Sequence, residues 1–454
     1  MSGSQVVAVV GGGASGTLAA VHLLREARVR AVPLEVVMID RYGRHGLGQA
    51  YSTVDPHHLL NAGADKMSGL EGDAGHLLRW ARDAGLAVSG SDYLPRRIYG
   101  RYLRALLDGA EEWPVRVVRR VTGTAEALTG DPGLRVHLSG GGHVEADAVV
   151  LALGNRTPAA WPRVVEAGSP RYVADPWAPE ALARIGDGAP ALVLGTGLTM
   201  VDVAVTVTGA HPDAVVYAMS RHALLPRPHP DPVPPPVATP FPDGPLGIAA
   251  LLRAVRVAVR DNGGDWYGVV DGLRPQTQSL WARLSPDDQR RFLDLAARYW
   301  EVHRHRIPPA TAARIAALRA AGRLHVLRGQ LIRAVTGPGG LHVHLNTGGG
   351  AVRELDVGWL VNATGPGADI ARDPFLAALL ATGTARPDRL GLGLEAGPGG
   401  VVLDAAGRPD GRIFALGPLL RGSLYESTAI AEIRAQAAAL APRLLDAITL
   451  APRL

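Results

Sequence analysis

The stretch Val6-Val7-Ala8-Val9-Val10-Gly11-Gly12-Gly13-Ala14-Ser15-Gly16 decides the fold. Its first five residues are apolar and mostly β-branched, which reads as a short buried strand. Glycines then make a turn, and Leu18, Val21 and Leu24 follow at helical spacing. Leu34 to Ile39 is a second apolar run, and it ends in Asp40. Strand, glycine turn, helix, strand and acid in this order give the whole context of a dinucleotide fingerprint; a bare glycine triplet would be weak. Gly11 makes the tight turn, Gly13 lets backbone approach a pyrophosphate, and Gly16 lets the helix pack on the strand. Ala14 and Ser15 open a helix whose free N–H groups face phosphate. Asp40 is placed to accept from ribose hydroxyls.

A second unit of the same kind begins near residue 191. Ala191-Leu192-Val193-Leu194 runs into Gly195-Thr196-Gly197-Leu198-Thr199-Met200, and an apolar helix follows. Met200 stands where a third glycine would be. The next strand is expected over Ala214 to Met219 and leads to Ser220-Arg221-His222. A carboxylate at this strand end would repel a 2′-phosphate, whereas arginine clamps it, so the second site reads as NADPH-preferring. A solvated strand end is the plain alternative for Arg221.

The two halves also repeat more coarsely. Val115–Val121, a hairpin turning at Gly130-Asp131-Pro132-Gly133, and a strand ending at Gly154 follow the first unit. Leu324–Val326 with Leu331–Val335, a hairpin turning at Gly337-Pro338-Gly339-Gly340, and a strand ending at Gly365 follow the second. The chain then returns with Arg412–Pro418 and a helix from about Glu426 to Leu440, which has no counterpart in the second half. The expected architecture is α/β. Two Rossmann-like dinucleotide-binding domains are formed, the second inserted into the first: residues 1–165, then 166–366, then 367–454 completing the first. Between Pro226 and Pro245, 10 of 20 residues are proline, which excludes helix and central strand. A helical insert, residues 246–310, follows this linker and matches neither repeat. Helices are expected at Ile248–Val259 and Asp287–Tyr299, in the natural place for a substrate-facing cap.

Composition narrows the chemistry. The 454 residues include no cysteine, so there is no disulfide framework, thiolate metal site, Fe–S cluster or cysteine nucleophile. Lys+Arg exceeds Asp+Glu by five, and Lys66 is the only lysine among 47 bases. There is no long basic run and aromatics are only 5%, which argues against nucleic-acid binding. No apolar run reaches the roughly 18 residues of a membrane helix, and no basic region precedes the first apolar stretch. A cytoplasmic protein without membrane association is expected. No His, Asp or Glu cluster at metal-ligand spacing stands out, so no metal is expected. The oligomeric state is open, and a homo-oligomer is compatible.

Several further stretches carry a resemblance. They are Gly48-Gln49-Ala50-Tyr51-Ser52, His58-Leu59-Leu60-Asn61-Ala62, Gly195 to Thr199, Trp300 through Arg306, and Gly417-Pro418 through Glu426, Glu432 and Arg434. Together they resemble a bacterial FAD/NAD(P)-binding flavoprotein family that includes flavin-dependent N-hydroxylating monooxygenases, among them the aspartate N-monooxygenases (nitrosuccinate synthases). The likeness spans nearly the whole chain. It implies FAD in the first domain and NADPH in the second. It implies that Arg41, Gln49, Leu60, Asn61, Gly417, Leu424 and Thr428 lie along the FAD, and that Gly365 lies at the NADPH side. One departure stands out. The Phe-x-Gly-x-x-x-His fingerprint of Baeyer–Villiger enzymes is replaced by Tyr172-Val173-Ala174-Asp175-Pro176-Trp177, which argues against ketone oxygenation.

On such a scaffold a hydride passes from NADPH to flavin, and the electrons must then leave. Without cysteine the disulfide-reductase route is closed. The first expectation is a monooxygenase: O2 and reduced FAD give a flavin hydroperoxide that hydroxylates a nucleophilic nitrogen of a small polar, amino-acid-like metabolite. A reductase or dehydrogenase serving an organic acceptor or partner protein is the alternative. A non-catalytic redox sensor is the third. The cofactor carries the chemistry, so no catalytic triad is expected. Candidate substrate contacts are Tyr51, Arg304, His305, Arg306 and Ser423. Each has a plainer reading. Tyr51 can be ordinary packing, the Arg304–Arg306 group a solvated helix end, and Ser423 with Glu426 a helix cap and first-turn acid. Asn61 interrupts the apolar run Leu59-Leu60-Asn61-Ala62 and so is expected to need a partner, which favours a functional role.

Overall fold

The computed structural model describes residues 4–111, 116–130, 133–161, 164–165, 168–348, 352–367 and 369–450. Val115 and the Asp131-Pro132 turn of the sequence reading lie outside them. In chain order the elements begin with β1 (Gln5–Val10), α1 (Ala14–Val29), β2 (Leu34–Asp40), α2 (Gly48–Tyr51), α3 (His76–Asp83) and α4 (Arg96–Ala110). β3 (Arg116–Thr122), the meander β4 (Ala125–Gly130), β5 (Leu134–Leu138), β6 (His143–Ala146), and β7 (Ala148–Leu151) follow. The second half has β8 (Tyr172–Val173), β9 (Ala191–Leu194), α5 (Leu198–Ala210) and β10 (Val216–Ser220). Its helical insert holds α6 (Ile248–Asp261), α7 (Trp266–Leu273), α8 (Thr277–Arg283), α9 (Pro286–Arg291) and α10 (Ala297–Arg304), the last two joined by a π turn at Phe292–Ala296. Then come α11 (Pro309–Ala320), β11 (Leu324–Arg328), the meander β12 (Gln330–Gly337), β13 (Gly340–Asn346), β14 (Val352–Val357), and β15 (Trp359–Asn362). The chain closes with α12 (Pro374–Ala381), β16 (Val401–Leu403), β17 (Pro409–Ala415), α13 (Arg421–Leu424) and α14 (Ile430–Leu450).

Two sheets organise these elements. The first has the order β16-β17-β7-β1-β2-β3 and is parallel except for the β16–β17 edge. The second, β11-β10-β9-β15-β8, is parallel throughout. The alternation of β1 explains the layering. Val7 and Val9 face one core with α1 and α14, while Ala8 and Val10 face another with α12. A strand buried on both faces is apolar at every position, as the opening stretch is. β17 pairs with β7, so the chain end completes the first sheet and the second domain is an insertion. Trp161, Val164 and Val165 already pack on the second sheet's core, so the chain crosses over ahead of them.

One expectation changes here. The returning strand does have a positional counterpart. β8 flanks β15 in the second sheet as β17 flanks β7 in the first. It enters before the second fingerprint instead of after it, so a linear comparison misses it. The last helix also starts later than expected, at Ile430, and Tyr425, at φ 49°, ends the short helix before it.

The helical insert has its own core, built by Val269, Leu273, Leu280, Trp281 and Phe292, and Tyr425 of the closing segment completes it. Tyr425 stacks on Trp281 at 4.6 Å between centroids and meets Phe292 edge-on at 5.2 Å. A buried aromatic at positive φ is strained, and this packing holds it there. Among the described residues, no helix is long and apolar enough to cross a membrane.

Candidate functional site

The two glycine turns have the same geometry. Gly11 has φ +118° and Gly195 has φ +111°. A Cβ on Gly11 would run into the Ala152 carbonyl oxygen, and one on Gly195 into the Ala363 carbonyl oxygen. Each turn therefore lies against the strand that ends its half, close to Gly154 and Gly365, which also have positive φ. The helices start alike too. Gly13 (φ −78°, ψ −165°) and Gly197 (φ −82°, ψ −162°) are the N-caps of α1 and α5, and neither helix has a side-chain cap. The first-turn N–H groups are thus left for an outside acceptor, and the helix dipole favours an anion there. A Cβ on Gly197 would meet nothing within 4 Å, so the second cradle is open at that point. Leu198 and Thr199 are half-buried beside it.

The third position differs between the halves. A Cβ on Gly16 would strike the Gly11 carbonyl oxygen, while Met200 is fully buried and holds the corresponding place in the second unit. Around the first turn, Asp40 accepts from the Tyr42 and Arg44 N–H groups at 3.0 and 2.9 Å through Oδ1. Its Oδ2 accepts from the Gly12 N–H at 3.3 Å. Arg41 is exposed, 5.0 Å over the Tyr42 ring. Two contacts here have no signal in the linear motif. Gly48 packs its backbone onto Gly13, and Gly417 (φ +72°) sits so close to α1 that a Cβ would lie 2.7 Å from Ser15 Oγ. The Gly417 N–H donates to Gln436 Oε1 at 2.7 Å.

At the second turn Thr196 Oγ1 bonds Ser220 Oγ at 2.9 Å and donates to the Leu224 carbonyl at 2.5 Å, tying the turn to the end of β10. Arg221 is exposed just beyond. Partial desolvation, then the charges of Arg298, Arg221 and Arg328, hold His222 below its usual pKa. Three arginines, one just past β10, one at the end of β11 and one in the insert, therefore share this strand-end region.

The two halves meet through a polar interface on α5. Arg96 pairs with Asp202 at 2.8 Å, and the two are 16% and 9% exposed. His58, 1% exposed, donates through Nε2 to Thr206 Oγ1 at 2.8 Å, and Thr206 donates to Asp55 at 2.8 Å. Gln49 Nε2 reaches Asp175 Oδ1 at 3.5 Å. Residues of the 49–61 loop thus touch both halves.

Several expected roles change. Asn61 is exposed rather than buried; its carbonyl accepts from His229 of the proline-rich stretch at 2.9 Å. Leu60 is 3% exposed. Tyr51 packs on Tyr99 with ring centroids 4.9 Å apart, and burial pushes its phenol pKa up to about 12. The Glu301–Arg306 group is neither a solvated helix end nor a free anion site. Arg304 Nε donates to Glu426 Oε1 and Oε2 at 3.1 and 3.0 Å, and Arg306, 3% exposed, grips Asp271 at 3.2 and 2.6 Å. His305 pairs with Glu301 at 3.2 Å. Glu426 is not a first-turn acid of the last helix; it also accepts from Trp300 Nε1 at 2.9 Å. Ser423 lies in α13 and does not cap the last helix. With Leu424 it lines a cavity of about 640 Å³ between the insert, residues 396–400 and α14. Thr428 is exposed. Asp65, Lys66, Arg274, Glu432 and Arg434 add both charge signs to the cavity wall.

Residues 8–156 match a family model described as FAD-NAD(P)-binding. They form an FAD/NAD(P)-binding domain. A comparison with curated proteins finds no match. Solved structures match over almost the whole chain. The reduced form of the ornithine hydroxylase PvdA from Pseudomonas aeruginosa has TM-score 0.66 at 17% identity, over 98% of this chain and 100% of that one. The Kutzneria sp. 744 ornithine N-hydroxylase KtzI, whose structure is described with reduced FAD, NADP+ and L-orn, has TM-score 0.62 at 16% identity, over 99% of each. The thioredoxin reductase of Lactococcus lactis has TM-score 0.51 at 12% identity, over 99% of this chain and 100% of that one. This is the fold of flavoenzymes with two dinucleotide domains.

Proposed function

We propose that this chain is an FAD- and NADPH-dependent monooxygenase that hydroxylates a nucleophilic nitrogen of a small polar, amino-acid-like metabolite. One observation carries the reading. Two dinucleotide cradles of matching geometry occur in a chain without cysteine. The disulfide-reductase outlet used elsewhere on this fold is therefore closed. PvdA and KtzI, which match over nearly the full length, hydroxylate ornithine.

The residues fit the two cofactors. FAD would lie on the backbone of Gly11, Gly13, Ala14, Ser15 and Gly16. Asp40 and Arg41 would meet its adenosine end, and Gln49, Leu60, Asn61, Gly417, Leu424 and Thr428 would follow toward the ring. NADPH would lie on Gly195, Gly197, Leu198, Thr199 and Gly365, with Arg221 on its 2′-phosphate. Bound together, the two supply hydride transfer and the activation of O2. The protein's part is orientation and exclusion of water. The Arg96–Asp202 pair and the His58–Thr206–Asp55 chain fix the second fingerprint helix against the FAD loop. The 640 Å³ cavity beside Ser423 and Leu424 is the substrate space, and its mixed charges suit a zwitterion.

Purified protein should be yellow and should oxidise NADPH faster than NADH. Protein that is colourless and does not take up added FAD would remove the basis of this reading.

A further inference from the structure

The outer face of the second meander carries side chains that neither cradle uses. β13 alternates strictly. Leu341, Val343 and Leu345 are at most 2% exposed against the second sheet. His342 and His344 therefore share the opposite face. The register sets His342 across from Asp356 and His344 across from Glu354 on β14. Glu354 reaches both rings: Oε2 is 3.6 Å from His342 Nε2, and Oε1 is 3.4 Å from His344 Nδ1. One ligand atom from each of these three residues lies within 4.8 Å of the others. Ligands bound at about 2.0–2.2 Å around a tetrahedral ion sit about 3.3–3.6 Å from one another. The two histidine–carboxylate distances fall in that range, and all three ligand atoms lie within 4.8 Å of one another.

A second observation points the same way. Asp356 Oδ1 is 2.7 Å from His342 Nδ1, which leaves Nε2 as the nitrogen facing Glu354. A carboxylate that holds one imidazole nitrogen while the other faces a shared centre is the usual outer support of a metal-bound histidine. We propose that His342, His344 and Glu354 form a site for a divalent transition-metal ion of the zinc or copper class, with Asp356 orienting His342. Two imidazoles with one carboxylate favour these ions over calcium or magnesium, which take oxygen ligands. A bound ion would clip β13 to β14 on the face away from the core. The first meander is a built-in control. His137 Nε2 is engaged by Thr129 Oγ1 at 2.9 Å, and the His137 and His143 rings stand 6.2 Å apart.

The test uses tag-free, metal-stripped full-length protein titrated with Zn2+ by calorimetry and with Co2+ by visible absorption. We expect one equivalent of Zn2+ and the intense visible bands of a tetrahedral Co2+ complex. His342→Gln and His344→Gln should each weaken binding at least about tenfold, and Asp356→Asn should weaken it less. His137→Gln should change nothing. Should the histidine variants lose structure, Glu354→Gln on the exposed strand gives the same reading. No saturable binding, or stoichiometry and affinity unchanged in H342Q, H344Q and E354Q, overturns the site.

Discussion

Arg304 and Glu426 form an ion pair at 3.0 Å with side chains 11% and 8% exposed, and they join the helical insert to the chain's closing segment. Glu432 takes Arg274 at 3.2 Å and Arg304 at 3.5 Å, so the pair sits in a small network that walls the cavity. Breaking a pair this buried leaves one charge without a partner. Arg304→Ala should destabilise the protein by about 3–5 kcal/mol, seen in denaturant or thermal unfolding of the holoprotein. Replacing both residues with apolar ones of similar size should recover most of that loss. A loss under about 1 kcal/mol in the single variant would place the pair among ordinary surface contacts.

The two cradles should respond differently to the same substitution. Gly11→Ala puts a Cβ against the Ala152 carbonyl at φ +118°, so it should prevent retention of FAD and lower Tm. Gly197→Ala meets no protein atom within 4 Å and has ordinary φ, so the fold should survive while the KM for NADPH rises. Flavin content and steady-state kinetics separate the two. Unchanged NADPH kinetics in G197A would mean that backbone there does not face the nucleotide.

Arg221→Ala should raise the KM for NADPH by roughly 10- to 100-fold, the loss of a charge-assisted contact worth about 1.5–3 kcal/mol, with little effect on NADH. Equal effects on both nucleotides would remove its assignment to the 2′-phosphate. Arg298 and Arg328, whose charges also reach His222, should show smaller shifts in the same sense.

Tyr51→Phe should leave KM and kcat nearly unchanged, because the phenol packs on Tyr99. Its pKa of about 12 lies above the ordinary 10.0, through desolvation. The unfolded chain therefore loses this proton first as pH rises. Its share of stability is present below pH 10.0 and disappears toward about 12. Y51F should flatten that part of the stability-versus-pH curve. A large rise in substrate KM would return Tyr51 to the substrate wall.

The legible parts of the chain are those whose physics is local. Gly11–Gly16 and Gly195–Thr199 announce themselves because turn, helix start and flanking strands are contiguous. Zero cysteine is an equally direct reading. Arg304 was not legible, since its partner Glu426 is 122 residues away and an Arg-rich helix end looks the same solvated or paired. Asn61 misleads for a related reason: an apolar run implies burial, but Asn61 is exposed, and the proline-rich stretch meets its carbonyl through the His229 side chain. The His342–Glu354 set is invisible to linear spacing because a strand register assembles it.

Oxygen transfer to nitrogen is the most direct consequence of a flavin reduced by NADPH in this chain. Purified holoprotein should be incubated with NADPH, small amino-acid amines and 18O2, and the products read by mass spectrometry. The expected result is an amine-dependent product that carries one 18O atom on nitrogen, formed in step with NADPH consumed. Consumption of NADPH and O2 that yields only hydrogen peroxide with every amine would contradict it.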